Sequence, residues 1–512
     1  MFANTNNPAH LRNPGDDSLP LSSIKAPRAS QPRFDPTLFS PTNSKYPKVS
    51  PNLWRLLFFV FLHLSQAFRC LRKLIQNSHL EIQHQRSWRI EFGSMAAGTF
   101  SIMAGHAGAM LQARQLGNEL FVGIHSDESI LENKGPTVMT LEERISAVDA
   151  CRWVTQSVPY APYVTSLPWI SHYGCKYVVH GDDITSDSSG EDCYRFVKAA
   201  GRFKVVKRTP SISTTDLVGR MLLCTRTHFI KSLTTLLAGE EGSGTQAERA
   251  REGGAMTERM KLYASDETGL HPGASIWFWN ASIEAREDDT AEEKGVFSSL
   301  SQGAQPKPGQ RVVYVDGGFD LFSSGHIEFL RQVLKAEEVV GKNEGWYSEE
   351  AVQERVGKGA DYGPAFVVAG VHDDEVINHW KGVNYPIMNI YERGLCYVNS
   401  VIFGAPFTPT RAYLTSTPWG TPDAVYHGPT SFMPLTYDPY TAPKAMGIYK
   451  EIGKHDFAGV NAEQIVQRIL KSRDMYEERQ RVKGVKGIGE EAQKRREKME
   501  DEQRLKEQKT TA

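Results

Sequence analysis

Short apolar runs alternate with helical patterns through most of this chain. Glu119–His125, Lys176–His180 and Phe203–Lys207 are compact enough for buried parallel strands. Between the first two, Thr140-Leu141-Glu142-Glu143 is a capping box that predicts an amphipathic helix through Cys151. Ser213-Thr214-Thr215-Asp216 predicts another helix start after the third run. The second half repeats the alternation, with strands expected at Val312–Asp316 and Phe366–Val371 and a helix over His326–Leu334. Alternating β and α elements predict an α/β fold with doubly wound parallel sheets, whose ligands sit beyond the carboxyl ends of the strands.

Elsewhere the pattern weakens. Residues 1–50 hold 8 of the 27 prolines and read as disordered. The apolar run Leu53–Leu64 is unbroken only from Leu56 to Leu62, far short of the roughly 20 residues that span a bilayer. A buried or interfacial helix, non-native sequence and a membrane anchor remain open for it. Residues 239–310 lack sustained periodicity and read as a mostly flexible linker, although Ile276–Trp279 could dock on a domain. Dense alternating charge from Lys471 onward predicts a solvated helix, with a membrane or partner helix as the alternative.

An internal repeat organises the remainder. Gly123-Ile124-His125-Ser126-Asp127-Glu128, Lys134-Gly135, Met139 and Glu143-Arg144 return as Gly370-Val371-His372-Asp373-Asp374-Glu375, Lys381-Gly382, Met388 and Glu392-Arg393. Ala161-Pro162 and His180-Gly181 return as Ala405-Pro406 and His427-Gly428, and Gly105-His106 returns as Gly325-His326. The order of these matches implies duplication. The expected organisation is an N-terminal extension over 1–88, domain 1 over 89–238, a linker over 239–310, domain 2 over 311–475 and a charged tail over 476–512.

Charge and cysteine content narrow the function. Across 512 residues, 59 Lys and Arg balance 60 Asp and Glu, which speaks against nucleic acid as a partner. The six Cys show no paired spacing, which argues against structural zinc or a secreted disulfide framework and for a cytoplasmic protein. Val312–Gly318 followed by Gly325-His326 reads as strand, tight turn and helix start, a setting in which backbone N–H groups approach a phosphate. Arg208-Thr209-Pro210-Ser211-Ile212-Ser213-Thr214-Thr215 gathers a guanidinium and hydroxyls where a strand feeds a helix.

Gly105-His106, Lys134-Gly135, the Arg208–Thr215 segment and the doubled domain together resemble the tandem cytidylyltransferases, within them the fungal ethanolamine-phosphate cytidylyltransferases. The resemblance covers roughly residues 103–235 and 311–475 and implies two Rossmann-like nucleotidyltransferase domains. It implies a reaction of CTP with phosphoethanolamine that gives CDP-ethanolamine and pyrophosphate, in phosphatidylethanolamine biosynthesis. It casts His106, Lys134 and Arg208 as catalytic. Gly105, Asp127, Arg152, Ser213, Thr214 and Thr215 would bind CTP, and His180, Asp182 and Asp183 would line the acceptor site. Asp316, Ser323, Gly325, His326 and Lys381 would form a degenerate second site. Mg²⁺ would arrive with CTP rather than sit in a protein cage. Peripheral association with the endoplasmic reticulum surface and a homodimer stay open under the same resemblance.

Against that pattern, Met103 stands where the family's His-x-Gly-His motif has its first His, and the Asp316–Asp320 turn has no counterpart before Gly105. Ser323 replaces the matching His of copy two, and Ser211 stands for a glycine. From Arg393 to Ala405 is 12 positions against 17 from Arg144 to Ala161, which removes the counterpart of Arg152. Nothing near Val460-Asn461-Ala462-Glu463 resembles the Arg208–Thr215 segment. Three readings follow: an enzyme acting through copy one, with ethanolamine or choline phosphate as acceptor; a weakened or inactive nucleotide-binding regulator; and a chain whose first hundred residues reflect a misassigned exon boundary.

Overall fold

A computed structural model describes residues 89–92, 106–182, 185–207, 214–281, 295–382, 384–394, 397–428, 437–475 and 481. The expectations for 1–88 and for the charged tail, residue 481 apart, lie outside them.

The first sheet contains β1 (Arg89–Phe92), β2 (Glu119–Ile124), β3 (Gln156–Pro159), β4 (Cys175–Gly181) and β5 (Phe203–Val206). All neighbours are parallel and the order is β3-β2-β1-β4-β5, with the short Arg89–Phe92 strand at the centre. The second sheet contains β6 (Ser275–Ala281), β7 (Gly295–Ser301), β8 (Arg311–Gly317), β9 (Ala365–Val371), β10 (Ser400–Phe403), β11 (Ala424–His427) and β12 (Tyr449–Glu451). Its order is β12-β11-β8-β9-β10-β6-β7. With β8 matched to β1, the five repeated strands follow one order in both sheets. β9 is buried at every position, as a strand covered on both faces must be.

The extra strands come from the stretch expected to be a linker, and they correct that expectation. β6 pairs in parallel with β10, and β7 closes the edge antiparallel to β6. Ile276, Phe278 and Trp279 are buried there, so the docking of Ile276–Trp279 is the part of the expectation that agrees. The same stretch holds an 18-residue helix, Gln246–Tyr263, opened by a Thr245/Glu248 capping box. Only Gly253 and Met260 of that helix are buried, which is why it shows no apolar periodicity. The helix expected over His326–Leu334 runs from Ser324 to Asn343 and is followed by another at Glu349–Gly357.

Copy one's Leu141–Asp149 helix is opened by the expected box, in which Thr140 and Glu143 cap each other. The five-residue loss removes the equivalent helix from copy two. Asn389 and Glu392 exchange the same two bonds, 2.9 and 3.0 Å, but only a turn follows.

Two helices in equivalent positions of the two copies pack against each other. These are the Thr214 helix (Thr214–Leu223) and the Ala462 helix (Ala462–Lys471). Leu217, Val218 and Met221 meet Ile465, Val466 and Ile469 in one apolar cluster with Val138 and Met388. The three residues on each helix are 248 positions apart, which identifies the Ala462 helix as the counterpart of the Thr214 helix. Each buried side chain of this size contributes about 1.5–3 kcal/mol.

The polar contacts at this seam are reciprocal. Arg220 of the Thr214 helix binds Glu392 of copy two at 2.7 and 3.0 Å. Arg468 of the Ala462 helix binds Glu143 of copy one at 2.7 and 2.8 Å. Both arginines hold the same position, again 248 residues apart, and each grips the partner's capping glutamate.

Candidate functional site

In each copy a buried histidine closes the strand that leads to the site. His125 follows β2, is fully buried, and its Nδ1 lies 2.8 Å from the Ala161 carbonyl. His372 follows β9 and makes the same contact to Ala405 at 3.0 Å. An arginine ties each histidine to the next helix. Arg144 donates to His125 O at 2.8 Å and to Asp127 at 2.5 Å; Arg393 donates to His372 O at 2.7 Å and to Asp374 at 2.6 Å. The repeated His, Asp and Arg are thus a scaffold that fixes the carboxyl edge of each sheet.

Burial pushes His125 down to about 4, and the charges of Lys134, Arg144 and His180 add to the effect. Its ring is neutral at pH 7, and its buried Nε2 has no hydrogen-bond partner. The structure therefore brings Lys134 and His180 near one histidine that the sequence marks only as a core residue. Lys134 ends the Asp127–Lys134 helix, where the helix dipole favours a cation. Gly135 makes the turn at φ 87°, and Gly382 does so at φ 68° after Lys381. That positive φ explains the repeated Lys-Gly pair. Lys134 Nζ lies 5.9 Å from the Tyr163 ring centre, and His180 packs on Tyr194 at 4.8 Å.

The remaining copy-one candidates divide. His106 stands at the N-terminal boundary of the helix Ala107–Gln115, after the central strand. Asp182 is exposed just beyond β4. Asp127 directs one oxygen to Arg144 and the other to the Leu141 N–H at 3.1 Å, so its carboxylate braces the edge. Thr214 and Thr215 open their helix. Gly105, Asp183, Arg208 and Ser213 lie outside the described residues. Arg152 is separated from the group. It sits where the chain enters β3, at the opposite edge of the sheet, and donates to Ser265 O at 3.2 Å and Val398 O at 2.8 Å. Trp153 beside it donates to Asp266 O. Both therefore join copy one to the segment after it, a role that no local pattern signals.

In copy two, Asp316, Gly325, His326 and Lys381 line one cavity of about 250 Å³. Ser323 stands behind it, its hydroxyl bonded to Val460 O at 2.7 Å. Burial pushes His326 down to about 3 and His372 and His427 down to about 4, so all three are neutral at pH 7. Burial pushes Asp316 up to about 7, opposed by the Tyr440 hydroxyl that donates to it at 2.5 Å. Asp320 has a structural task, accepting from the Ile387 and Met388 N–H groups at 2.8 and 2.9 Å. At Gly325 an added Cβ would meet Val460 O at 2.3 Å and Phe457 O at 2.8 Å. The glycine thus admits two carbonyl oxygens, where a phosphate-binding turn would admit an anion.

Comparison with known proteins agrees with this doubled architecture. The family described as Cytidylyltransferase-like matches residues 95–220. The ethanolamine-phosphate cytidylyltransferase of Mus musculus is 37% identical over 394 residues, covering 75% of this chain and 87% of its own length. That of Dictyostelium discoideum is 36% identical, covering 76% of this chain and 94% of its own. A probable ethanolamine-phosphate cytidylyltransferase of Schizosaccharomyces pombe is 30% identical, covering 74% and 90%. These matches run through both copies, and the chain belongs to the ethanolamine-phosphate cytidylyltransferase family.

Proposed function

We propose that the first domain transfers a cytidylyl group from CTP to phosphoethanolamine. The observation that carries this reading is the cluster at the carboxyl edge of the first sheet. There Lys134 lies over the Tyr163 ring that packs on buried His125, in a chain whose family is named for the reaction. A phosphate oxygen of phosphoethanolamine attacks the α-phosphorus of CTP in line. The new P–O bond gives CDP-ethanolamine, and the bond to the β-phosphate breaks to release pyrophosphate.

Negative charge gathers on the oxygens around the α-phosphorus and on the leaving pyrophosphate, so fixed cations and N–H donors are what the reaction needs. Lys134 neutralises the α-phosphate. His106 and Gly105 present the helix start to the triphosphate, and Arg208, Ser213, Thr214 and Thr215 hold its far end at the start of the Thr214 helix. His180, Asp182 and Asp183 receive the acceptor. Among the described residues no group of three or more His, Cys, Asp or Glu is placed to hold a metal ion. Mg²⁺, which keeps most of its waters, would be held by the triphosphate and would supply charge neutralisation there.

The test is formation of CDP-ethanolamine by the purified chain from CTP and phosphoethanolamine. Lys134→Gln is expected to lower the rate about 10²–10³-fold, the usual worth of one transition-state donor. Met103→His is expected to raise it. Binding of CTP without turnover in either the chain or the Met103→His variant would favour the regulatory reading instead. Choline phosphate as competitor reads acceptor choice. Among the described residues no helix is long and apolar enough to cross a membrane. Association with the endoplasmic reticulum surface and a homodimer are extensions of the proposal, checked by flotation with vesicles and by sedimentation.

A further inference from the structure

The cavity of the second domain has the wrong chemistry for a nucleotide triphosphate. Four histidines line it; burial holds His326 down to about 3 and His372 and His427 down to about 4, and it lowers His455 as well. Among the described residues no arginine lines it, and Lys381 is the one fixed cation on its wall. Counted 248 positions on from the first copy, Asp456 stands where Arg208 stands and Ala462 stands where Thr214 stands. The carbonyls of Val460 and Phe457 crowd Gly325 at the helix start. Four negative charges would find little to oppose them.

The same cavity is suited to a small ammonium ion. Asp316 is buried with one oxygen bonded to Tyr440 and the other, Oδ2, with no partner. A buried carboxylate oxygen left unpaired costs free energy that a cationic donor would recover. Aromatic faces surround the space: Trp380 stacks on Phe407 with ring centres 4.7 Å apart, and Tyr440 and Phe319 complete the wall. Rings and a carboxylate together are how proteins hold an ammonium group. A volume near 250 Å³ also falls below the range of about 300–1,000 Å³ usual for drug-sized ligands.

We propose that the cavity of the second domain binds a small zwitterion, an alkylammonium group against Asp316 and the aromatic wall and a phosphate towards Lys381, and does not bind CTP. Phosphoethanolamine, the acceptor of the proposed reaction, has this chemistry, and to that extent the inference rests on that reading. The second copy has then kept recognition of the amine while losing the means to hold a triphosphate.

Equilibrium dialysis of the full chain with labelled phosphoethanolamine and, separately, labelled CTP tests this, with ethanolamine and inorganic phosphate as competitors. The expected result is one CTP per chain and a phosphoethanolamine site that weakens at least tenfold in both Asp316→Asn and Lys381→Gln, with CTP binding unchanged. Lys381 is exposed, so its variant keeps the test valid if the Asp316 change disturbs folding. Ethanolamine should compete at this site more strongly than inorganic phosphate. Two CTP per chain, or phosphoethanolamine binding indifferent to both substitutions, would overturn the proposal. Loss of all phosphoethanolamine binding in Asp316→Asn would leave it standing and count against an acceptor site in the first domain.

Discussion

The two domains share one scaffold and differ at their charged positions. Both order their repeated strands alike, both close a strand with a buried histidine, and both tie it down with arginine and aspartate. The pair in copy two is wholly enclosed, with Arg393 and Asp374 both at 0% exposure. In copy one Arg144 is at 1% but Asp127 is 37% exposed. Copy one leaves its aspartate within reach of solvent at an edge where it also gathers Lys134 and His180. Copy two covers the equivalent aspartate with the closing stretch of the first domain, whose Ile230 N–H donates to it at 2.9 Å. The difference teaches that the repeated triplet is architecture, and that chemistry was gained or lost in the residues around it.

The sharpest way to break the comparison is to remove the arginines. Arg393→Met should cost about 3–5 kcal/mol, because Asp374 is left as an uncompensated buried charge. Arg144→Met should cost clearly less, since water reaches Asp127. Urea unfolding of both variants measures this, and equal losses would show the two triplets to be equivalent after all.

Next comes the seam. Arg220→Met strands Glu392 in a site where both partners are under 10% exposed and should cost about 3 kcal/mol. Arg468→Met, at a position 36% exposed, should cost about 1 kcal/mol. Loss of stability by the same amount in both would mean that burial does not set the strength of these reciprocal pairs.

A further effect is in acid. His372 in the unfolded chain takes a proton below about pH 6.5, but burial holds the folded one down to about 4. Its contribution is therefore fully present above pH 6.5 and is lost as pH falls towards 4, amounting to about 2 kcal/mol at pH 5. Asp316 works in the opposite sense, since its raised value favours the folded state at low pH and that benefit fades as pH rises through about 7. The fall in melting temperature from pH 7 to pH 5 should be smaller in His372→Gln than in the parent. An unchanged fall would show that His372 protonates freely when folded.

Much of this was legible beforehand. The repeated Gly-His, Lys-Gly and Glu-Arg pairs located both sheets, because buried strands and caps need those residue types wherever they recur. The Gln246–Tyr263 helix was hidden by its exposure, and β7 by polar positions on a sheet edge. The counterpart of the Arg208–Thr215 segment was hidden for a different reason. A search for its hydroxyls and guanidinium fails, because copy two preserved the apolar face that packs at Ile465, Val466 and Ile469 and replaced the polar start. The partnership of Glu143 with Arg468, 325 residues away, had no local signal, since its capping role already accounted for it.

The exchanged helices bear on how such a chain can evolve. A duplicated gene is ordinarily free to shed a copy once that copy's activity is dispensable. Here the Thr214 and Ala462 helices bury their apolar faces across the seam between the copies, so deleting either half would expose the apolar surface of the remaining one. The second copy can therefore lose a triphosphate site and still be retained by selection on folding alone, which leaves its old cavity available for a new ligand.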